Sequence, residues 1–392
     1  MLVAFASDGD LFMCKRLWPL LLLMLALSGS AAAQDKLPGL STLKAGEWNS
    51  ITPGGDTTCA YGTPYQFFVR PAAQPSSKLM IYLQGGGACW NAQNCSPDYK
   101  NLLTGRGIFA PEVVTPEQAP AMYNSGILDT SNPENPAVDY NTVFLPYCTG
   151  DVHTGSASVD WESNGKKYTM HFNGFVNAQA ALDWTYANFE KPETVFVTGS
   201  SAGAVGATLL TPYVFRHYPD AQDVHLADGY VGIVPKGWDA LKTWNYYGNL
   251  PDFLPEFKTV DPADFSILSL YKALSSNFPK AQFSLYTTDL DDTQVLYLFF
   301  MGGAKTPAEA GKIFQEQMHG LLTDLNADVS NFHSYIAWGN SHTILLRPEF
   351  YQMEVGGVRV RDWVAALLAG QPLKTVTCTD CTTPELYQPK AS

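Results

Sequence analysis

Ser201 lies at the centre of Gly199-Ser200-Ser201-Ala202-Gly203, directly after the apolar run 193–198. A serine hydroxyl is a weak nucleophile at neutral pH, and it becomes reactive when a histidine accepts its proton and a carboxylate holds that histidine in the right tautomer. Glycines on both sides permit a sharp, strained turn from strand to helix that pushes the hydroxyl into a cleft. The short pattern arises easily by chance, so its weight depends on partners elsewhere. Two groups downstream carry the required residue types. The run 281–287 leads into Asp289-Leu290-Asp291-Asp292, and the run 332–338 leads into Gly339-Asn340-Ser341-His342. Both sit at strand exits and follow the serine in the order serine, acid, histidine. Spacing does not choose among Asp289, Asp291 and Asp292.

His342 is the preferred base because small, polar neighbours leave its ring room to reach a cleft. His217 and His319 fall on predicted helices, and His225 and His333 fall within or beside strands, where packing or surface roles suit them. His153, in the loop 148–155, is the real competitor, but it precedes the serine. The tetrahedral oxyanion of acyl transfer also needs a pair of backbone donors. The run 79–84 exits into Gly85-Gly86-Gly87-Ala88, so the amides of Gly86 and Gly87, together with Ala202, are the expected donors.

The elements that position these groups are legible as apolar, β-rich runs at 66–70, 79–84, 142–146, 193–198, 223–227, 281–287 and 332–338. Val176, Ala180, Ala181, Trp184 and Ala187 recur at helical spacing, and a second helix is expected to start at Ala202 and stop by Pro219. Strand and helix alternation predicts an α/β fold with a mostly parallel central sheet covered by helices on both faces. The stretch 237–278 breaks the alternation and is rich in rings, among them Trp238, Trp244, Tyr246, Tyr247 and Phe265. It reads as an insertion beside the cleft whose rings serve core packing more readily than stacking on sugars or lining an acyl pocket. The chain contains no internal repeat.

With 392 residues, 46% hydrophobic and 16% charged, the chain can bury a large core, and it reads as one globular domain over 34–392. Residues 1–33 read as an export signal: Lys15 and Arg16, an apolar run from Leu17 to Leu27, then Ala31-Ala32-Ala33. Asp8 and Asp10 suit a basic leader poorly, so Met13 is the expected start. A secreted or periplasmic location follows, with no transmembrane anchor. Outside the signal stand Cys59, Cys89, Cys95, Cys148, Cys378 and Cys381, an even set that favours disulfides in an exported protein. Cys378 and Cys381 lack the second pair or nearby histidine of a zinc set, so a local disulfide is the better reading. The net charge of −13 argues against nucleic acid as a partner, and it gains nothing from a polyuronate.

Taken together, several segments resemble the pectin acetylesterase family, which includes the Notum carboxylesterases of animals. They are Cys59 to Pro64, Gln84 to Asn91 with Asn94-Cys95, Pro146-Tyr147-Cys148 with Thr154-Gly155, Phe172-Asn173-Gly174, Gly199 to Gly203, Ala227-Asp228-Gly229, Asp291 to Gln294, and Ser341 to Ile344. They run in family order along nearly the whole chain after the signal. The resemblance implies an α/β hydrolase fold, no metal or other cofactor, and a triad of Ser201, Asp291 and His342. It also implies bonds between Cys89 and Cys95 and between Cys59 and Cys148, which leaves Cys378 with Cys381. Two departures stand out. Family members carry a tryptophan at the position of Gly87 or of Ala88, so the small residues here imply a wider cleft at the scissile ester. The two glycines usual after the elbow alanine are Gly203 and Ala204 in this chain, a change a helix tolerates.

The leading expectation is therefore a secreted serine esterase that removes acyl groups, acetyl first among them, from a carbohydrate. A carboxylesterase or lipase acting on longer acyl esters is the alternative, and a glycan-binding relative without catalysis is a third reading.

Overall fold

The computed structural model describes residues 36–236, 238–258, 261, 265–379 and 381; the expected export signal lies outside them. The first half runs β1 (Asn49–Ile51), β2 (Phe67–Arg70), β3 (Lys78–Leu83), α1 (Pro120–Tyr123), β4 (Asn141–Leu145), a hairpin of β5 (Ala157–Ser163) and β6 (Lys166–Phe172), α2 (Gly174–Asn188), β7 (Thr194–Ser200) and α3 (Ala202–His217). The second half runs β8 (Gln222–Asp228), α4 (Ala240–Thr243), α5 (Ile267–Asn277), β9 (Gln282–Thr288), α6 (Asp292–Phe300), α7 (Pro307–Asp328), β10 (Phe332–Ala337), the short pair β11 (Glu354–Val355) and β12 (Val358–Arg359), α8 (Val360–Leu368) and β13 (Val376–Thr377).

Among the described residues, nine strands form one sheet in the order β1-β2-β4-β3-β7-β8-β9-β10-β13. From β4 to β13 every neighbour is parallel, and only β1 and β2 join antiparallel. The expected mostly parallel α/β sheet is present, and all seven anticipated strands belong to it. The reason they were legible is physical. Residues of β4 and β7 are buried on both faces, which requires apolar runs rather than alternation.

The chain leaves β3 for β4 on one side and returns to β7 on the other. Such a reversal opens a crevice outside the carboxyl ends of the two strands. Parallel pairing brings the ends of β3, β7, β8, β9 and β10 to the same edge, so Gly85 to Gly87, Ser201, Asp228, Asp291 and His342 all emerge there.

The insertion 237–278 holds α4, α5 and two short 3-10 turns among its described residues. Trp244, Tyr246, Phe257 and Tyr271 are buried, in line with core packing. Among the described residues, disulfides join Cys59 to Cys148, Cys89 to Cys95 and Cys378 to Cys381. No helix among the described residues is long and apolar enough to cross a membrane.

Candidate active site

Ser201 occupies the turn between β7 and α3 with φ 57° and ψ −124°, a conformation strained for any residue with a side chain. Its amide donates to the Asp228 carbonyl at 2.7 Å, which ties the elbow to the next strand. The turn closes only because glycines flank it. A Cβ on Gly203 would lie 2.0 Å from the Leu83 carbonyl oxygen, and one on Gly199 would lie 2.4 Å from the oxygen of Gly203. Gly203→Ala is expected to destabilise the fold by more than about 4 kcal/mol, because backbone rather than a yielding side chain fills the space. Thermal unfolding checks this, and a melting curve like that of wild type would refute it.

His342 follows β10 in the loop 339–347. Its Nδ1 donates to both oxygens of Asp291, each at 2.9 Å. Asp291 is fully buried, caps the N-terminus of α6, and also accepts from the Gln294 amide and side chain at 3.0 Å each. A carboxylate held this way fixes the imidazole with its other nitrogen free to accept a proton. That nitrogen, Nε2, is buried and has no hydrogen-bond partner among the described residues. Burial opposes the charged imidazolium, yet Asp291, Asp228 and Asp292 outweigh it and raise the His342 pKa above its ordinary value.

The choice among the three aspartates is made by geometry. Asp289 is engaged by His319 and Gln315, each at 2.6 Å, well away from His342 in the bonding pattern. Asp292 lies on the first turn of α6 and bonds the Thr293 hydroxyl. Asp291 is the one that meets His342.

The glycine loop follows β3. The amides of Gly86, Gly87 and Ala202 donate no hydrogen bond to protein among the described residues, while the next amide, Ala88, donates to the Tyr297 hydroxyl at 3.2 Å. Gly87 and Ala202 line one cleft with Ser201, and Gly86 and Gly87 line another with it. Gly87 has φ 81°, and a Cβ there would meet the Ile108 carbonyl and the Tyr297 hydroxyl. Tyr297, from α6, and Ile108 occupy the ground beside Gly87 that a larger side chain would need.

Ser201 and His342 line two clefts that meet at the glycine loop. One, of about 100 Å³, is apolar and bounded by Trp90, Val205, Ile233, Trp238, Trp244 and Tyr297. The other, of about 400 Å³, is more open and is bounded by Gln84, Phe109, Met122 and Leu346. Trp238 packs edge-on against both Trp90 and Trp244, at 5.7 and 5.8 Å, across the first cleft.

The rival His153 lies beneath this loop. Its Nε2 bonds the Gln84 carbonyl at 2.7 Å, and burial pushes its pKa down to about 4, so it supports the loop as a neutral donor. His225 is buried in β8, and its pKa falls to about 3 for the same reason. Sequence reasoning named no cleft residue in the insertion, yet Trp238 and Trp244 are there, and it gave no role to Asp228 or Tyr297. Ring-rich composition was the one available signal, and it does not separate a wall from a core.

The family model for pectinacetylesterase matches residues 52–230. The palmitoleoyl-protein carboxylesterase NOTUM of Homo sapiens is 26% identical over 188 residues, which cover 44% of this chain and 33% of that protein. The chain thus spans about a third of the length of this relative. A Danio rerio protein named as an inactive palmitoleoyl-protein carboxylesterase is 28% identical over 118 residues, covering 27% of this chain and 71% of that protein. The crystal structure of the Wnt deacylase Notum from Drosophila superposes with a TM-score of 0.59 at 17% identity, covering 85% of this chain and 97% of that one, and shows a shared fold.

Proposed function

We propose that this chain is a member of the pectin acetylesterase and Notum carboxylesterase family and a serine ester hydrolase working through Ser201, His342 and Asp291. Relatives include a protein named inactive, so the reading rests on residues rather than on kinship. The observation that carries it is His342, with Nδ1 locked on a buried Asp291 and Nε2 buried without a partner beside the same cleft as Ser201.

In the reaction, Ser201 Oγ attacks the ester carbonyl carbon while His342 Nε2 takes its proton. The amides of Gly86, Gly87 and Ala202 receive the oxyanion. The carbon to alkoxy-oxygen bond breaks, the alcohol leaves with the proton from His342, and an acyl-serine remains. Water, deprotonated by His342, then attacks this ester and releases the carboxylic acid and the free serine.

The two clefts supply the division of substrate. The apolar cleft of about 100 Å³ takes the acyl group. It is smaller than the roughly 300 to 1,000 Å³ of sites that enclose drug-sized ligands, so it suits an acyl group of a few carbons, acetyl foremost. The open cleft leaves room for a bulky alcohol such as a sugar residue. An acylated carbohydrate is the substrate class this favours. The largely apolar, tryptophan-rich lining of the smaller cleft favours a second reading, a longer acyl chain, which the relatives' name palmitoleoyl-protein carboxylesterase would fit.

A fluorophosphonate probe is expected to label the wild-type protein and not Ser201→Ala. Across p-nitrophenyl esters, kcat/KM is expected to peak between acetate and butyrate, with acetate release from acetylated polysaccharides. A peak at twelve or more carbons, on the order of a drug-sized acyl group, would replace the first reading with the second. Absence of both labelling and ester hydrolysis would overturn the enzyme itself.

A further inference from the structure

We propose that Asp228 is a positioning residue for this reaction: its buried carboxylate clamps the nucleophile elbow and the histidine loop to one point at the end of β8. The proposal rests on the esterase reading above. Asp228 is fully buried and pairs in register with Ser200 on β7. Its carboxylate accepts from the Ser200 hydroxyl at 2.5 Å, and Ser200 in turn bonds the Tyr82 hydroxyl on β3 at 2.5 Å. On its other side it accepts from the amides of Ile344 at 2.9 Å and Leu345 at 3.0 Å. Its own carbonyl receives the Ser201 amide. One residue therefore bonds the positions immediately before and at the nucleophile and those two and three after His342.

The clamp holds a backbone that would not choose this shape unaided. Thr343, between His342 and the clamped amides, has φ 62°, as unfavourable for a threonine as the elbow is for Ser201. Hydrogen bonds to an ionised acceptor are stronger than those to a neutral one, so a carboxylate is the group suited to hold it. Gly229 follows, and a Cβ there would come 3.3 Å from His342 Cε1, so the β8 end also abuts the imidazole. Asp228 bonds neither the His342 ring nor the cleft; that task belongs to Asp291.

The charged and titratable groups around it come from several elements. Tyr82 of β3 and Tyr286 of β9, in register with Asp228, flank it; His342 and Arg347 belong to the histidine loop; and Asp291 stands beyond the imidazole. Burial pushes the Asp228 pKa up to about 6, against the pull of Ser200 and the two amides. Its negative charge also raises the His342 pKa. Turnover needs His342 neutral and Asp228 ionised, so both set the acid limb of kcat/KM, and activity falls as pH drops through them. Removing the Asp228 charge shifts His342, and hence that limb, to lower pH. Removing the Ser200 hydroxyl raises the Asp228 pKa further and shifts the limb to higher pH.

Kinetics of wild type, Asp228→Asn and Ser200→Ala with p-nitrophenyl acetate across pH, beside fluorophosphonate labelling, test this. Asp228→Asn is expected to lose about 10- to 100-fold in kcat, the scale of a catalytic group displaced by about 1 Å, with KM little changed and the acid limb moved down. Ser200→Ala is expected to move it up, and it carries the test alone should Asp228→Asn fail to fold. A general packing defect would not move the two limbs in opposite directions. Wild-type kcat and unmoved limbs in folded variants of a labelled, active enzyme overturn the clamp alone. A wild type that neither labels nor hydrolyses overturns the esterase reading and the clamp with it.

Discussion

Replacing His342 with glutamine is expected to reduce kcat for ester hydrolysis by about 10⁴-fold or more, the cost of losing the base of such a triad. Glutamine separates chemistry from packing. Its amide can still donate to Asp291, which is fully buried and would otherwise keep only the Gln294 donors. What it cannot do is accept the Ser201 proton. Far-UV circular dichroism and melting should resemble wild type while turnover is lost. The double variant Ser201→Ala/His342→Gln is expected to be no slower than either single variant, because groups that act as one unit fail non-additively. A double variant slower by the product of the two separate losses would show that the residues act independently, and the triad would fall.

Removing the Cys59 to Cys148 disulfide is expected to have a larger effect on stability than removing the Cys89 to Cys95 disulfide. The bond closes a loop with a sequence separation of 89, for which the chain-entropy account gives roughly 4 to 5 kcal/mol. For a chain of this size that corresponds to a fall in Tm of about 6 °C. Both sulfurs are buried, so alanine is the appropriate replacement. The effect should reach the site. Cys148 follows Tyr147, whose ring packs so closely on Gly86 that a Cβ there would lie 2.3 Å from it, and the Cys89 amide donates to the Gly150 carbonyl. Freeing this loop loosens the wall behind the oxyanion donors. By contrast, the Cys89 to Cys95 bond spans a separation of 6, and its removal is expected to cost roughly 2 kcal/mol. Differential scanning calorimetry of the two cysteine-to-alanine pairs checks the ranking. Equal shifts would show that loop length does not govern it.

The strands that carry the site were legible because each is largely buried on both faces and therefore holds a short run rich in apolar and β-forming residues. The elbow helix was legible from its glycine turn and its end before Pro219, although Pro212 lies inside it. The hairpin β5 and β6 was not legible, since its residues are mostly half exposed and its alternation is filled with charged and aromatic types. The edge strand β13 has two residues, too few for any period, and is held by β10 and the Cys378 to Cys381 bond.

What the sequence by itself determined is the set of chemical parts and their order: a serine in a glycine turn, a glycine loop after an earlier strand, then acidic and histidine loops at later strand exits. Those features are local, and local backbone geometry demands particular residues at them. Spacing left three neighbouring aspartates open and the resemblance implied Asp291, which the tertiary structure brings onto His342; tertiary structure alone decided that Tyr297 and Ile108 fill the ground beside Gly87 and that Trp238 and Trp244 wall a cleft. It also decided that Asp228 joins two loops more than a hundred residues apart. Such contacts depend on where parallel strands bring distant segments together, and no spacing along the chain encodes that distance.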